Sequence, residues 1–184
     1  ADVQAYIHDD VLIHEEAWDV RALREFANPS VGVAGFGGAL VHGSHDLYKT
    51  PYRLEQLGRS HYLSNVDDAE VHGARFAGSC DVATLDGFAL LVRRDLLDRV
   101  GVWPLGTPIG YSLYDYWLTA MAHRFGYRVR LVGLRCQHLG GMTAVRLKMG
   151  VDERGEAHAR AHEWVYETCR DALPWDARLQ PGAE

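Results

Sequence analysis

Apolar and polar positions along the chain alternate between strand-like and helix-like spacing. Val3-Gln4-Ala5-Tyr6-Ile7 reads as a buried strand. Glu16 to Ala27 follows as a helix with Trp18, Ala22, Leu23 and Phe26 on one side, stopped by Asn28-Pro29. Val31 to Gly35 is a second short strand of small residues, and Gly35-Phe36-Gly37-Gly38 reads as a flexible turn. No Gly-Lys-Ser/Thr follows it, so it is not a phosphate loop, and it lacks dinucleotide-binding spacing. Val82 to Arg94 is strand-like on both sides of Asp86-Gly87, and Asp95 to Val100 is a short helix ended by Gly101. The clearest helix is Leu113 to Phe125, where Tyr114, Trp117, Leu118, Met121 and Phe125 recur at helical spacing. Tyr127 to Val132 returns as a strand, with Arg128 and Arg130 facing away from Val129 and Leu131. A last amphipathic helix, Glu156 to Leu173, sets Ala157, Ala161, Trp164, Val165 and Cys169 on its apolar side, and Pro174 ends it. There is no internal repeat. The pattern predicts an α/β chain forming one domain over residues 1–184, of which 156–184 are a C-terminal helix and tail.

Residues 39 to 80 have no clear period and read as a surface excursion with irregular hairpins. They carry His42, His45, His61 and His72 among Tyr48, Tyr52 and Tyr62. Such a long stretch without obvious elements is often functional, and as a group these residues would line an acceptor site. His42 and His45 come closest to a metal-ligand spacing.

Composition narrows the classes. The 184 residues suit one domain with a real core, and the net charge of −6 argues against charge-driven nucleic-acid binding. Cys80, Cys136 and Cys169 form no CxxC pair and no disulfide framework, which favours a reducing compartment and a cytoplasmic location. No apolar run is long enough to span a bilayer, and no signal peptide is visible. The chain starts at Ala1 and enters a strand almost at once, so an upstream segment is expected.

Candidate chemistry concentrates where the first strand ends. His8, Asp9 and Asp10 follow Ile7, and ligands bind at the carboxyl ends of strands in open α/β sheets. Adjacent carboxylates repel unless a cation or proton lies between them. Mg²⁺ or Mn²⁺ takes oxygen ligands and shares them with substrate phosphates. The competing reading is that Asp9 and Asp10 merely cap the next helix. Asp86 lies in an apolar strand and needs a partner or a role; Gly87 beside it marks a close approach. Ser112-Leu113-Tyr114-Asp115 fits a capping box with Ser112 as the cap. Asp115 is then either an acid favoured by the helix dipole or a base presented at a helix N-terminus. His138 follows a strand and precedes Gly140-Gly141, and Arg146 and Lys148 lie beyond on a segment able to fold over a phosphate.

These stretches resemble the GT-A-fold glycosyltransferases of inverting family two, within it the branch with streptomycin-biosynthesis-type transferase domains. The resemblance spans roughly residues 3 to 140. Four ordered blocks carry it: Tyr6-Ile7-His8-Asp9-Asp10-Val11; Val31 to Gly35; Leu85-Asp86-Gly87 running into Val92-Arg93-Arg94 and Val100-Gly101; and Tyr114 to Leu118 through Arg124 to Val129, closing at His138. It implies a GT-A-like, Rossmann-like mixed sheet flanked by helices. The strand-helix-strand units that hold the nucleotide's base and ribose in that fold are absent from this sequence. It further implies metal-dependent transfer of a sugar from a nucleotide-diphosphate donor to an acceptor hydroxyl, with inversion. Asp10 matches the last acid of the DxD-type motif that holds Mn²⁺ or Mg²⁺. Asp9 matches the middle position, toward ribose or the metal shell. His8 stands where many members have Asp, Asn or Glu. Asp115 matches the catalytic base, and His138 a late residue of the metal shell. Asp86 and Gly87 match a block lining the cleft for acceptor and donor sugar, and Arg146 is a candidate phosphate contact. The acceptor is open: a sugar, a small metabolite, a protein or a modified nucleic-acid base.

Two other readings compete. His8, Asp10 and His138 also spell a two-histidine, one-carboxylate set for non-haem Fe(II), with Arg146 on a 2-oxoacid. Those oxygenases are β-rich barrels, unlike a chain with a strong helix between the ligands. The other reading is a non-catalytic binding module that kept the fold.

Overall fold

A computed structural model describes residues 2–42, 62–66, 74–101, 104, 106–109, 113–139, 151–173 and 175–180. Arg146, His45, His61, His72, Tyr48, Tyr52, Ser112 and the Gly140-Gly141 pair lie outside the described residues. The described elements are β1 Val3–Ile7, β2 Val11–Ile13, α1 Trp18–Glu25, β3 Val31–Gly35, β4 Gly37–Ala39, β5 Val41–His42, β6 Tyr62–Ser64, β7 Ala74–Arg75, β8 Ser79–Asp81, β9 Thr84–Leu85, β10 Ala89–Arg93, α2 Arg94–Val100, α3 Tyr114–Arg124, β11 Arg128–Val132, β12 Cys136–His138, α4 Val151–Cys169 and β13 Trp175–Asp176.

The fold is mixed α/β. Its main sheet runs β1-β10-β3-β11-β8, with β3 and β11 parallel and the other neighbours antiparallel. Side chains alternate faces along a strand, and β10 shows this directly. Leu90 and Val92 enter one core with Leu118, Ala122, Ala161 and Val165 of α3 and α4. Ala89 and Leu91 enter the other with Ala22 and Phe26 of α1 and its C-terminal end. Helices therefore cover both faces. A second sheet, β7-β6-β4-β9, and the pairs β12-β2 and β13-β5 stand beside the first.

Three expectations change. The first strand is not buried: β1 has a single neighbour, β10, among the described residues, and Ala5 and Tyr6 are exposed. The supposed turn Gly35 to Gly38 is instead a transfer between sheets. Phe36 is fully buried, and β4 pairs with both β6 and β9. Glycine is required there by packing, because a Cβ on Gly38 would lie 2.3 Å from the Thr84 carbonyl oxygen. The last helix begins at Val151, ahead of the predicted Glu156.

Arg93 ties the strand layer to α1. It is buried and donates to the carbonyls of Val31 (2.7 Å), Phe26 (2.8 Å) and Asn28 (2.9 Å). Of the two arginines predicted to face away from Val129 and Leu131, Arg130 pairs with Glu25 at 2.9 Å and bridges β11 to α1, while Arg128 pairs with Asp81 of β8. All three cysteines are free and buried.

Candidate metal centre

The backbone around Asp10 is fixed from two sides. Val11 N–H returns to the His8 carbonyl in a tight turn, and His8 N–H donates to Phe88 O at 2.9 Å. β2 then pairs antiparallel with β12 in the register His138↔Val11, and Leu139 N–H donates to Asp10 O at 3.0 Å. That pairing carries His138 across the chain to the turn. Ligand atoms of His8, Asp10 and His138 all lie within 4.8 Å of one another. His138 Nε2 is 3.4 Å from Asp10 Oδ1, and His8 Nδ1 is 3.9 Å from the same oxygen. Asp10 Oδ1 is buried and accepts no hydrogen bond from any described residue. A buried carboxylate oxygen without a donor is costly. Two imidazoles and one such oxygen form a donor set that suits a divalent first-row cation, so these residues fit a metal.

Both imidazoles are oriented from behind. His138 stacks on buried Phe88 with centroids 5.0 Å apart and 22° between planes. His8 Nε2 lies 2.7 Å from the Tyr114 hydroxyl, which donates to Gly87 O at 3.0 Å. The hydroxyl has one proton: directed to the Gly87 carbonyl, which can only accept, it leaves His8 Nε2–H to donate to the phenol oxygen, with Nδ1 the ring nitrogen turned toward Asp10. Such supporting contacts fix the tautomer of metal-binding histidines.

The same glycine reaches the other predicted residue. Gly87 N–H donates to Asp115 Oδ2 at 2.8 Å, and Tyr116 N–H donates to Asp115 Oδ1 at 2.9 Å. Asp115 is half-buried. Desolvation and the nearby Asp86 raise its pKa to about 7, against the opposing N–H contacts. The capping box is not what places it: the N-cap of α3 is Leu113, at φ 61°, with no side-chain cap. Asp86 itself accepts from the Tyr62 hydroxyl at 3.0 Å and from Phe88 N–H at 3.3 Å. Burial and the Asp86 charge push the Tyr62 phenol well above its ordinary range.

His8, Asp10 and His138 thus meet. Asp115 and Gly87 join them through Tyr114, with Asp86 next along the chain. Asp9 is exposed on the turn and outside the three-residue cluster. Tyr114 was legible only as an apolar helix position, because nothing local marks a partner 106 residues away.

No family model matches the chain, and no curated protein sequence matches it. Among solved structures it is similar to A197 from STIV, with 14% identity and a TM-score of 0.44 over 76% of this chain and 59% of that one. It is also weakly similar to a glycosyltransferase: the mannosyltransferase PcManGT from Pyrobaculum calidifontis, solved in complex with GDP-Man and Mn²⁺. There the identity is 16% and the TM-score 0.41, over 93% of this chain and 49% of that one. The chain spans about three fifths of the first protein and half of the second.

Proposed function

We propose that this chain carries the metal- and acceptor-binding part of an inverting glycosyltransferase that takes its sugar from a nucleotide diphosphate. The observation that carries the reading is the buried, donor-less Asp10 oxygen between two oriented imidazoles, joined through Gly87 to a carboxyl group tuned near neutrality. His8, Asp10 and His138 would hold Mn²⁺ or Mg²⁺. When bound, the cation supplies positive charge against the negative charge that grows on a departing diphosphate.

The chain's own residues supply the rest. A pKa near 7 lets Asp115 accept a proton from an acceptor hydroxyl at neutral pH, which is the condition for an effective general base. The hydroxyl oxygen then bonds to the anomeric carbon as the bond to the diphosphate oxygen breaks, so configuration inverts in one displacement. In this reading Asp86, held by Tyr62, and Gly87 line the cleft for acceptor and donor sugar, with Asp9 toward the ribose. An upstream segment would complete the nucleotide site.

The same donor set suits Fe(II), but oxygenases of that kind were expected as β-rich barrels. Here a five-stranded open sheet carries helices on both faces, which favours transfer. The test is release of nucleoside diphosphate from a panel of nucleotide-sugars with Mn²⁺. Metal-dependent turnover lost in Asp115→Asn supports the reading. Oxygen consumption with Fe(II) and a 2-oxoacid, or tight metal-dependent sugar-nucleotide binding without turnover across a broad acceptor panel, would replace it.

A further inference from the structure

A second group of imidazoles, none of them in the centre described above, gathers near Tyr116 of α3. His158 and His162 sit one turn apart on α4, with Nε2 atoms 3.1 Å apart and rings meeting edge to face at 85°. His162 is buried and His158 half-buried. Tyr116 lies 6.0 Å from His162 and 5.1 Å from His42, centroid to centroid. His42 is buried, and its Nδ1 has no hydrogen-bond partner among the described residues. Two imidazoles, His42 and His162, thus flank one phenol, His158 contacts the second of them, and burial lowers the pKa of His42 and of His158. Neutral rings offer lone pairs without first losing a proton.

The spacing decides what such a pair can take. Two nitrogens about 2.0–2.1 Å from a tetrahedral cation, subtending roughly 100°, stand a little over 3 Å apart. The pair on α4 already has that bite. Imidazole-only ligation selects Zn²⁺, Cu²⁺ or Ni²⁺ over the oxygen-preferring Mg²⁺ and Mn²⁺.

We propose that His158 and His162 form a second metal site, specific for a late first-row cation such as Zn²⁺, with water completing the coordination. In the metal-free protein one N–H lies between the two nitrogens. Binding moves that proton to Nδ1 of its own ring, so both Nε2 lone pairs face the cation with no net proton loss. The site staples one turn of α4, the helix packed on α3, and does not depend on the transferase reading.

Calorimetric titration of the whole chain with Zn²⁺ tests it, comparing wild type, His158→Gln, His158→Gln/His162→Gln and Asp10→Asn/His138→Gln. One Zn²⁺ site should vanish in both α4 variants and persist in Asp10→Asn/His138→Gln. His158→Gln alters only the half-buried ring, so it guards against loss of folding, which circular dichroism checks. The Cu²⁺-loaded protein should show two-nitrogen coupling in its electron paramagnetic resonance spectrum, lost with His158. Unchanged Zn²⁺ stoichiometry in His158→Gln, or loss of every site in Asp10→Asn/His138→Gln, would overturn the proposal.

Discussion

The Tyr114 hydroxyl and His8 Nε2 stand 2.7 Å apart, and because the phenol proton is given to Gly87 O, the tyrosine sets which nitrogen of His8 is left to face Asp10. One peptide unit, Gly87, thereby touches both halves of the site: its carbonyl holds Tyr114 and its N–H holds Asp115.

Tyr114→Phe removes the hydroxyl and keeps the ring in the α3 core. It should weaken Mn²⁺ binding by about 10- to 100-fold, the usual effect of losing a supporting contact to a metal-binding histidine. Titration calorimetry on the folded variant reads this directly. Affinity equal to wild type would show that the tyrosine does not orient His8.

Gly87→Ala tests the same junction from the backbone. A Cβ there would meet the Tyr114 hydroxyl oxygen at 2.4 Å and Cζ at 2.6 Å. Tyr114 or the turn must shift, at a cost of about 1–3 kcal/mol. Pairing the change with Tyr114→Ala should recover part of the loss in urea unfolding, because the two positions share one contact.

Asp115 predicts a pH profile. Its folded pKa of about 7 lies above its ordinary 3.8, so between those values the folded state holds more protons than the unfolded state. Stability from this group therefore falls as pH rises through that window and is flat above it. Asp115→Asn should flatten that slope in denaturant unfolding. In the transferase reading, kcat/KM of the wild type should rise with pH through about 7 as the carboxylate forms.

Arg93 gives a prediction about stability alone. Three carbonyls accept from it, and it lies over the Phe26 ring at 5.6 Å. Arg93→Ala strands those acceptors and leaves a gap, so a loss of about 3 kcal/mol or more is expected, measured by chemical denaturation.

Local patterns carried much of this fold. The spacing that predicts β1, β3 and α3 is set within each segment, and those elements lie within one residue of where the sequence puts them. The edge position of β1 was not legible, because burial depends on which strands pair with it. The glycine run from Gly35 to Gly38 reads as a turn by composition, yet its glycines serve the close approach of β4 to β9. In the site, His8 and Asp10 were marked by position, and the convergence of His138 on them follows from the β2–β12 register, which no local pattern encodes. The partners of Tyr114, and the Tyr62 hydroxyl that reaches Asp86, come from other segments of the sequence and left no trace there.

The most direct test of the account is the affinity of the folded chain for Mn²⁺ in wild type and Asp10→Asn. Replacing the Asp10 carboxylate with a neutral carboxamide takes the negative charge from between His8 and His138 and should abolish binding at that site while circular dichroism stays unchanged. Mn²⁺ binding of undiminished affinity and stoichiometry in Asp10→Asn would contradict it.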